Sequence, residues 1–366
     1  MNTTLAENFD HDYEIATNGF DSTDHDYEIA TNSFYSTENT DVANSGAGSK
    51  SATAIFLTSL RMLVGILGVL SNLTVCIGVT SMKTNEVKFL IISQAFIDFL
   101  TSFVFVTRTV TSRFMYTWFV SPTSQALGYI YCMFWHWDGL FYFLFSISTY
   151  NLVAIAIERY MAVLHAIWYR TCFTPKKAMM LGAALWIIAP TMQVVNSATQ
   201  NAYFDGKCQF LRFTQPYLGI VGVFLFLWDY FVPCLIMGYC FTRIYTELRE
   251  QDKRVKSLQG DSINGVSTVS GKLSESSADD KKATSRSRNV SKTFLLVYLA
   301  FVLCWATNQF LFLQRNLGGY IYRGKPVNHF ANSMAILNLT VNPFIYVLRF
   351  QQYREKLKQI FCYRCR

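Results

Sequence analysis

An all-α bundle of seven membrane-spanning helices is the fold predicted for this 366-residue chain, on three observations. First, 51% of its residues are hydrophobic and only 15% are charged, which lies outside the usual range of soluble domains. Second, seven apolar runs follow one another at roughly 53–81, 88–112, 126–161, 178–198, 216–246, 290–314 and 327–349. Each is near or above the length a helix needs to cross a bilayer. Third, the basic residues gather between alternate runs, as the rule for cytoplasmic loops requires. That pattern also explains the net charge of +8 without calling on nucleic acid.

Residues 1–52 are rich in Asn, Thr, Ser and acids, the composition of a disordered tail. The tail holds a short duplication, Asp10 to Asn18 and Asp24 to Asn32, each copy setting a tyrosine between acids. Tyr13 and Tyr27 are either solvated or sulfation sites that add charge for a basic ligand. Asn2-Thr3-Thr4 is an N-glycosylation sequon if the tail lies outside.

Lys83 and Lys88 follow the first span, Arg170, Lys176 and Lys177 the third, and Arg243, Arg249, Lys253, Arg254 and Lys256 the fifth. Those loops therefore face the cytoplasm, and an odd number of spans puts the N-terminus outside. Arg113, Lys207 and Arg212 fall on the outer side, so the bias is not absolute. The stretch from about 248 to 288 lacks apolar periodicity and reads as a long flexible cytoplasmic loop within the bundle region 53–349. In the final segment, 350–366, apolar and aromatic residues alternate with Arg and Lys as in a short helix lying on the membrane. Cys362 and Cys365 beside it are either palmitoylation sites or exposed thiols.

The third run poses the main chemical question. It carries Asp138 near its outer end and ends inside at Glu158-Arg159-Tyr160. Charge within lipid is costly and marks function by default. Asp98, midway along the second span, needs polar company for the same reason, and Ser148, Asn338 and Asn342 are the residues on other spans placed to give it. Pro343 removes a backbone donor and permits a hinge near Tyr346.

Taken in order, Asn72, Asp98, Glu158-Arg159-Tyr160, Trp186, Pro233, Phe301 with Cys304-Trp305, and Asn342-Pro343-Phe344-Ile345-Tyr346 resemble the landmarks of the rhodopsin-like (class A) G-protein-coupled receptors. The resemblance covers about residues 55 to 361. It implies a plasma-membrane receptor that binds an extracellular ligand, activates a heterotrimeric G protein and brings arrestins and receptor kinases as further partners. It implies a switch at Glu158, Arg159 and Tyr160, with Ile167 packing against Arg159, and with Asn342, Pro343 and Tyr346 on the seventh span. A sodium or water cluster around Asp98, Ser148, Asn338 and Asn342, a toggle at Phe301 and Trp305, and a disulfide between Cys132 and Cys208 follow likewise. Cys132 lies about two residues farther from Arg159 than the family pattern, which a local bulge would absorb.

Departures from the pattern also carry expectations. Ala306-Thr307 stand where the family has a proline, Phe241 where it has a tyrosine, Thr149 where it has an aliphatic residue, and Ser287 where some relatives restrain the arginine with an acid. Raised signalling without ligand is the expected outcome. Leu339 replaces a polar residue of the Asp98 cluster.

The resemblance places Arg108, Asp138, Phe141, Asp229, Asn308, Gln309 and Asn332 in or near an interior ligand pocket. Either Arg108 pairs with Asp138, or Asp138 is open to a ligand; Asp229 has no obvious basic partner. A cationic ligand answers that imbalance. Amine receptors hold their ligand on an aspartate where this chain has Phe141, so a basic peptide is favoured over a biogenic amine. Aromatic residues such as Trp135, Trp137, Tyr142, Trp228 and Tyr230 suit either ligand or packing. An opsin would need a Schiff-base lysine in the seventh span, and 327–349 contain none. An intramembrane aspartyl protease could draw on Asp98 and Asp229 but lacks its Gly-x-Gly-Asp context, and no half-repeats suggest a transporter. The sequence reads as a receptor that catalyses no covalent chemistry.

Overall fold

Seven helices long and apolar enough to cross a membrane run through the described residues. The structure is a computed structural model, describing residues 49–80, 86–114, 124–136, 138–204, 206–210, 215–263, 272–319, 326–349, 353–355 and 358–359. Asn2, both tail repeats, Trp137, Cys362 and Cys365 lie outside them.

The first two spans are unbroken helices, Ser49–Thr80 and Glu86–Phe114. The third is Gly139–Leu164, and it touches the second, fourth, fifth and sixth. Of its apolar stretch 72% is buried, against 22% of the fourth, so it forms the axis of the bundle. The fourth span starts at Pro175 behind the capping hydroxyl of Thr174, is interrupted at Ala189-Pro190 and continues as Thr191–Gln200. Proline at that point removes a donor from the helix ladder.

Strands β1 (Asn201–Phe204) and β2 (Lys207–Phe210) form an antiparallel hairpin after it. Gly206, at φ 74°, supplies a left-handed turn residue there. The fifth span comprises Gln215–Phe226, a π-helical turn at Leu227–Phe231 and Val232–Ile263. Pro233 cannot donate to a carbonyl four residues back, and the ladder widens just before it, with Val232 N–H bonding Leu227 O.

The sixth helix, Lys272–Asn316, runs through Ala306-Thr307 without a break, since no proline interrupts its ladder. The seventh is Pro326–Arg349, with Pro343 inside it. Two expectations need correction. The third run is not one helix from 126 to 161 but is interrupted around Asp138. The stretch 248–288 is not a loop throughout, because helix continues to Ile263 and resumes at Lys272. Lys and Glu in those segments favour helix by intrinsic propensity. Beyond the seventh span, Tyr353–Glu355 and residues 358–359 are helical. Tyr353 is buried with its ring against Gly78 of the first span.

Candidate functional site

Asp98 is fully buried and both oxygens of its carboxylate meet neutral donors. Gln94 Nε2 lies 3.0 and 3.1 Å from its two oxygens, Ser148 Oγ 2.7 Å from Oδ1, and Asn342 Nδ2 3.0 Å from Oδ2. Gln94 is one helical turn from Asp98 on the same face. Its amide also donates to Ser148 Oγ at 2.6 Å and accepts from Asn151 Nδ2 at 2.9 Å. It is thus the hub of a network joining the second and third spans to the seventh, and sequence reading missed it. A glutamine amid an apolar run, four residues from the aspartate, was the available signal.

Asn338, expected beside Asp98, is a correction. It is buried but makes no hydrogen bond to that carboxylate, whose partners are Gln94, Ser148 and Asn342. Asn72 plays a different part: its Nδ2 donates to Leu339 O at 2.8 Å. Pro343 deprives that same carbonyl of its donor four residues on, so Asn72 of the first span repairs the break.

At the C-terminal end of the third span Arg159 forms a buried, two-pronged ion pair with Glu158, and Tyr169 donates to the same carboxylate. A charge so enclosed needs that partner close by. Ile167 does not pack against Arg159 and is 85% exposed. It sits on the short helix Ala166–Cys172 with Tyr169 two residues later, about 200° around the axis at 3.6 residues per turn. When Tyr169 faces Glu158, Ile167 must face away. Tyr160 stacks near Tyr239 and His165. Tyr346 is buried edge-on to Phe294. Phe241 stacks on Tyr298 with ring centroids 5.7 Å apart, and Thr149 is fully buried.

Arg288 of the sixth helix bonds both oxygens of Asp252 on the fifth, at 2.6 and 2.7 Å. An exposed pair of this kind holds about 0–1 kcal/mol. Replacing Asp252 with Asn is therefore expected to raise ligand-free second-messenger levels by no more than about fivefold. The exchanged pair Asp252→Arg with Arg288→Asp should return them to the starting level.

In the middle of the bundle Trp305 is fully buried and its ring stacks on Phe145 at 3.7 Å, with Phe301 next to Tyr230. Above them Phe141 lies against Phe105 and Tyr142, and Asn308 Nδ2 donates to Asn332 Oδ1 at 3.2 Å, joining the sixth and seventh spans. Gln309 is buried nearby in sequence. Asp229 lies in the π-helical turn of the fifth span, 1% exposed. Its oxygens meet Ser146 Oγ at 2.7 Å and Gln193 Nε2 at 2.5 Å, so it faces the third and fourth spans. Among the described residues no basic side chain forms an ion pair with it, and it shares no partner with Asp98.

The N-terminal end of the third span departs most from a regular helix. Gln125–Tyr131 is helical, Cys132–His136 forms a π-helical turn, and Asp138 adopts a left-handed backbone at φ 60° before the span restarts at Gly139. Widening the turn takes up surplus residues, and the disulfide from Cys132 to Cys208 on β2 is made with Cα atoms 5.4 Å apart. Arg108 pairs with Asp138 at 3.2 Å. It also donates to the backbone carbonyls of Trp135 and His136, at 2.8 and 2.7 Å.

Residues 71–346 match the family described as 7 transmembrane receptor (rhodopsin family). The chain is 23% identical to the human histamine H2 receptor over 333 residues, covering 88% of this chain and 84% of that one. It is 22% identical to the octopamine receptor beta-2R of Chilo suppressalis over 351 residues, 89% and 85% of the two chains. With a GQ-coupled rhodopsin of Mizuhopecten yessoensis it shares 24% over 317 residues, 82% of this chain and 59% of the other. With seven apolar helices in the described residues and a family match across most of its length, the chain belongs to the rhodopsin family of seven-transmembrane receptors, multi-pass membrane proteins that bind a ligand and engage a G protein rather than catalyse a reaction.

Proposed function

We propose that this receptor sits in the plasma membrane with its N-terminal tail outside, responds to a basic extracellular ligand, and passes the signal to a heterotrimeric G protein at the Glu158-Arg159 end. One observation carries the ligand class: Asp229 is a fully enclosed carboxylate held only by the neutral donors Ser146 and Gln193. A buried anion without a cation is unfavourable, and a ligand ammonium or guanidinium supplies one. A basic peptide is preferred to a small amine because Phe141 stands at the amine-binding position and Asp138 is engaged by Arg108. The second reading, a biogenic amine, is favoured by relatives named for histamine and octopamine.

Activation would release Arg159 from Glu158 and open the cytoplasmic face, where the exposed Ile167 is available to a partner; arrestins and receptor kinases act on the same face. Ligand shifts that equilibrium only by its differential affinity for the two states. The Asp98 cluster fits a sodium ion, because the buried Oδ1 of Asn342, whose Nδ2 bonds Asp98, has no hydrogen-bond partner among the described residues. Asp98, Ser148 and Asn342 would hold it, and it would supply the positive charge the carboxylate otherwise lacks.

Screening amine and peptide libraries with a G-protein activation reporter identifies agonists. Against these, Asp229→Asn is expected to weaken the response to basic agonists about tenfold or more at equal surface expression, the scale of one charged contact. If charge reversal at Asp229 leaves the response to every basic agonist unchanged, the cationic-ligand reading fails.

A further inference from the structure

The break in the third span frees backbone carbonyls that a continuous helix would have satisfied four residues on. Met133 O is taken by Ser197 Oγ of the fourth span at 2.8 Å. The carbonyls of Trp135 and His136 both point at Arg108, as does Asp138 Oδ1. Two carbonyl dipoles and one carboxylate thus converge on a single planar cation. The side chains of Arg108 and Asp138 are 11% and 4% exposed.

Two features fix the acceptors without help from Arg108. Asp138 holds its left-handed backbone, and Gly139 lies so close to the chain that a Cβ there would fall 2.0 Å from Met133 O. The acceptors come from the third span, whereas the cation arrives on a long flexible side chain of the second. Their spacing suits a fork of in-plane N–H donors, which guanidinium has and an ammonium lacks.

We propose that the outer break of the third span is a guanidinium-binding site which the receptor fills from within with Arg108, and that the arginine side chain of a basic ligand is the group able to replace it. Only the identity of that natural occupant rests on the basic-ligand reading above. The site itself can be tested without any agonist, so failure here and failure at Asp229 are separate results.

The test uses purified full-length receptor carrying Arg108→Ala, with thermal stability measured in methylguanidinium and in methylammonium. The variant is expected to be less stable than the unmodified receptor and to recover in methylguanidinium, whereas methylammonium should need about tenfold higher concentration for the same gain. The unmodified receptor, its site filled, should gain nothing, and Arg108→Ala combined with Asp138→Asn should lose the recovery. Should the variant not reach the cell surface, its surface yield in cells grown with either cation becomes the readout, with the same ordering expected. Equal effects of the two cations, or no effect of methylguanidinium beyond that on the unmodified receptor, would overturn the proposal.

Discussion

Replacing Gln94 with leucine is expected to destabilise the receptor by about 2–4 kcal/mol, because one side chain bonds both oxygens of a buried carboxylate and also ties Ser148 and Asn151 to it. With leucine in place Asp98 keeps only Ser148 and Asn342. Ser148 loses the amide that donates to it, and Asn151 keeps Leu90 O but loses Gln94 Oε1. Hydrogen bonds to a charged group are worth about 1.5–3 kcal/mol each, and an unsatisfied carboxylate in the bundle has no water to fall back on. Leucine fills similar space, so the loss reports on polarity rather than on a cavity. Unfolding of the purified protein by heat or denaturant measures it. A change under about 0.5 kcal/mol, the size of an ordinary surface substitution, would mean that the network is not organised around Gln94.

The same residue marks where sequence reasoning stops. Seven spans and their order could be read from apolar run lengths and Lys and Arg placement, since those depend on composition along the chain. Asp98, Ser148 and Asn342 could be grouped because each is a polar residue in an apolar setting. Gln94 meets the same criterion, and so does Asn338, yet only Gln94 bonds Asp98, because which face of a helix turns toward a given neighbour depends on packing that one sequence does not display. Gln193 and Ser146 escaped for that reason too: Asp229 could be located, but not the direction of its carboxylate.

Ile167 shows the converse error, a role assigned by resemblance and reversed by helical phase once Tyr169 was seen to face Glu158. The spacing of Cys132 did point to a bulge in the third span. The capping of that bulge by Arg108 was not legible, because the carbonyls it binds are free only where the helix breaks. A proline in the seventh span is likewise visible in sequence, whereas its repair by Asn72 requires the first and seventh spans to be side by side.

Gly139→Ala is expected to be the most damaging single-methyl change around the start of the third span, with a loss above about 3 kcal/mol or failure to reach the surface. A Cβ at this position would lie 2.0 Å from Met133 O, a backbone atom, and 3.0 Å from Ser197 Oγ. A side chain in the way can rotate; a carbonyl fixed between a disulfide and a helix start cannot. Any relief must move the turn at Cys132–His136, and with it the carbonyls of Trp135 and His136 that Arg108 binds and the link to Cys208. Asp138 provides the control one residue away. Asparagine tolerates the left-handed region as well as aspartate does, so Asp138→Asn should keep the backbone and lose only the ion pair. Asp138→Gly should offset part of that loss by relieving about 1–2 kcal/mol of backbone strain. Surface expression and thermal stability of the three variants should therefore rank Gly139→Ala far below both Asp138 changes. If Gly139→Ala is tolerated while Asp138→Asn is not, the ion pair rather than the close backbone approach holds the break, and the third span depends on its charges more than on its turn.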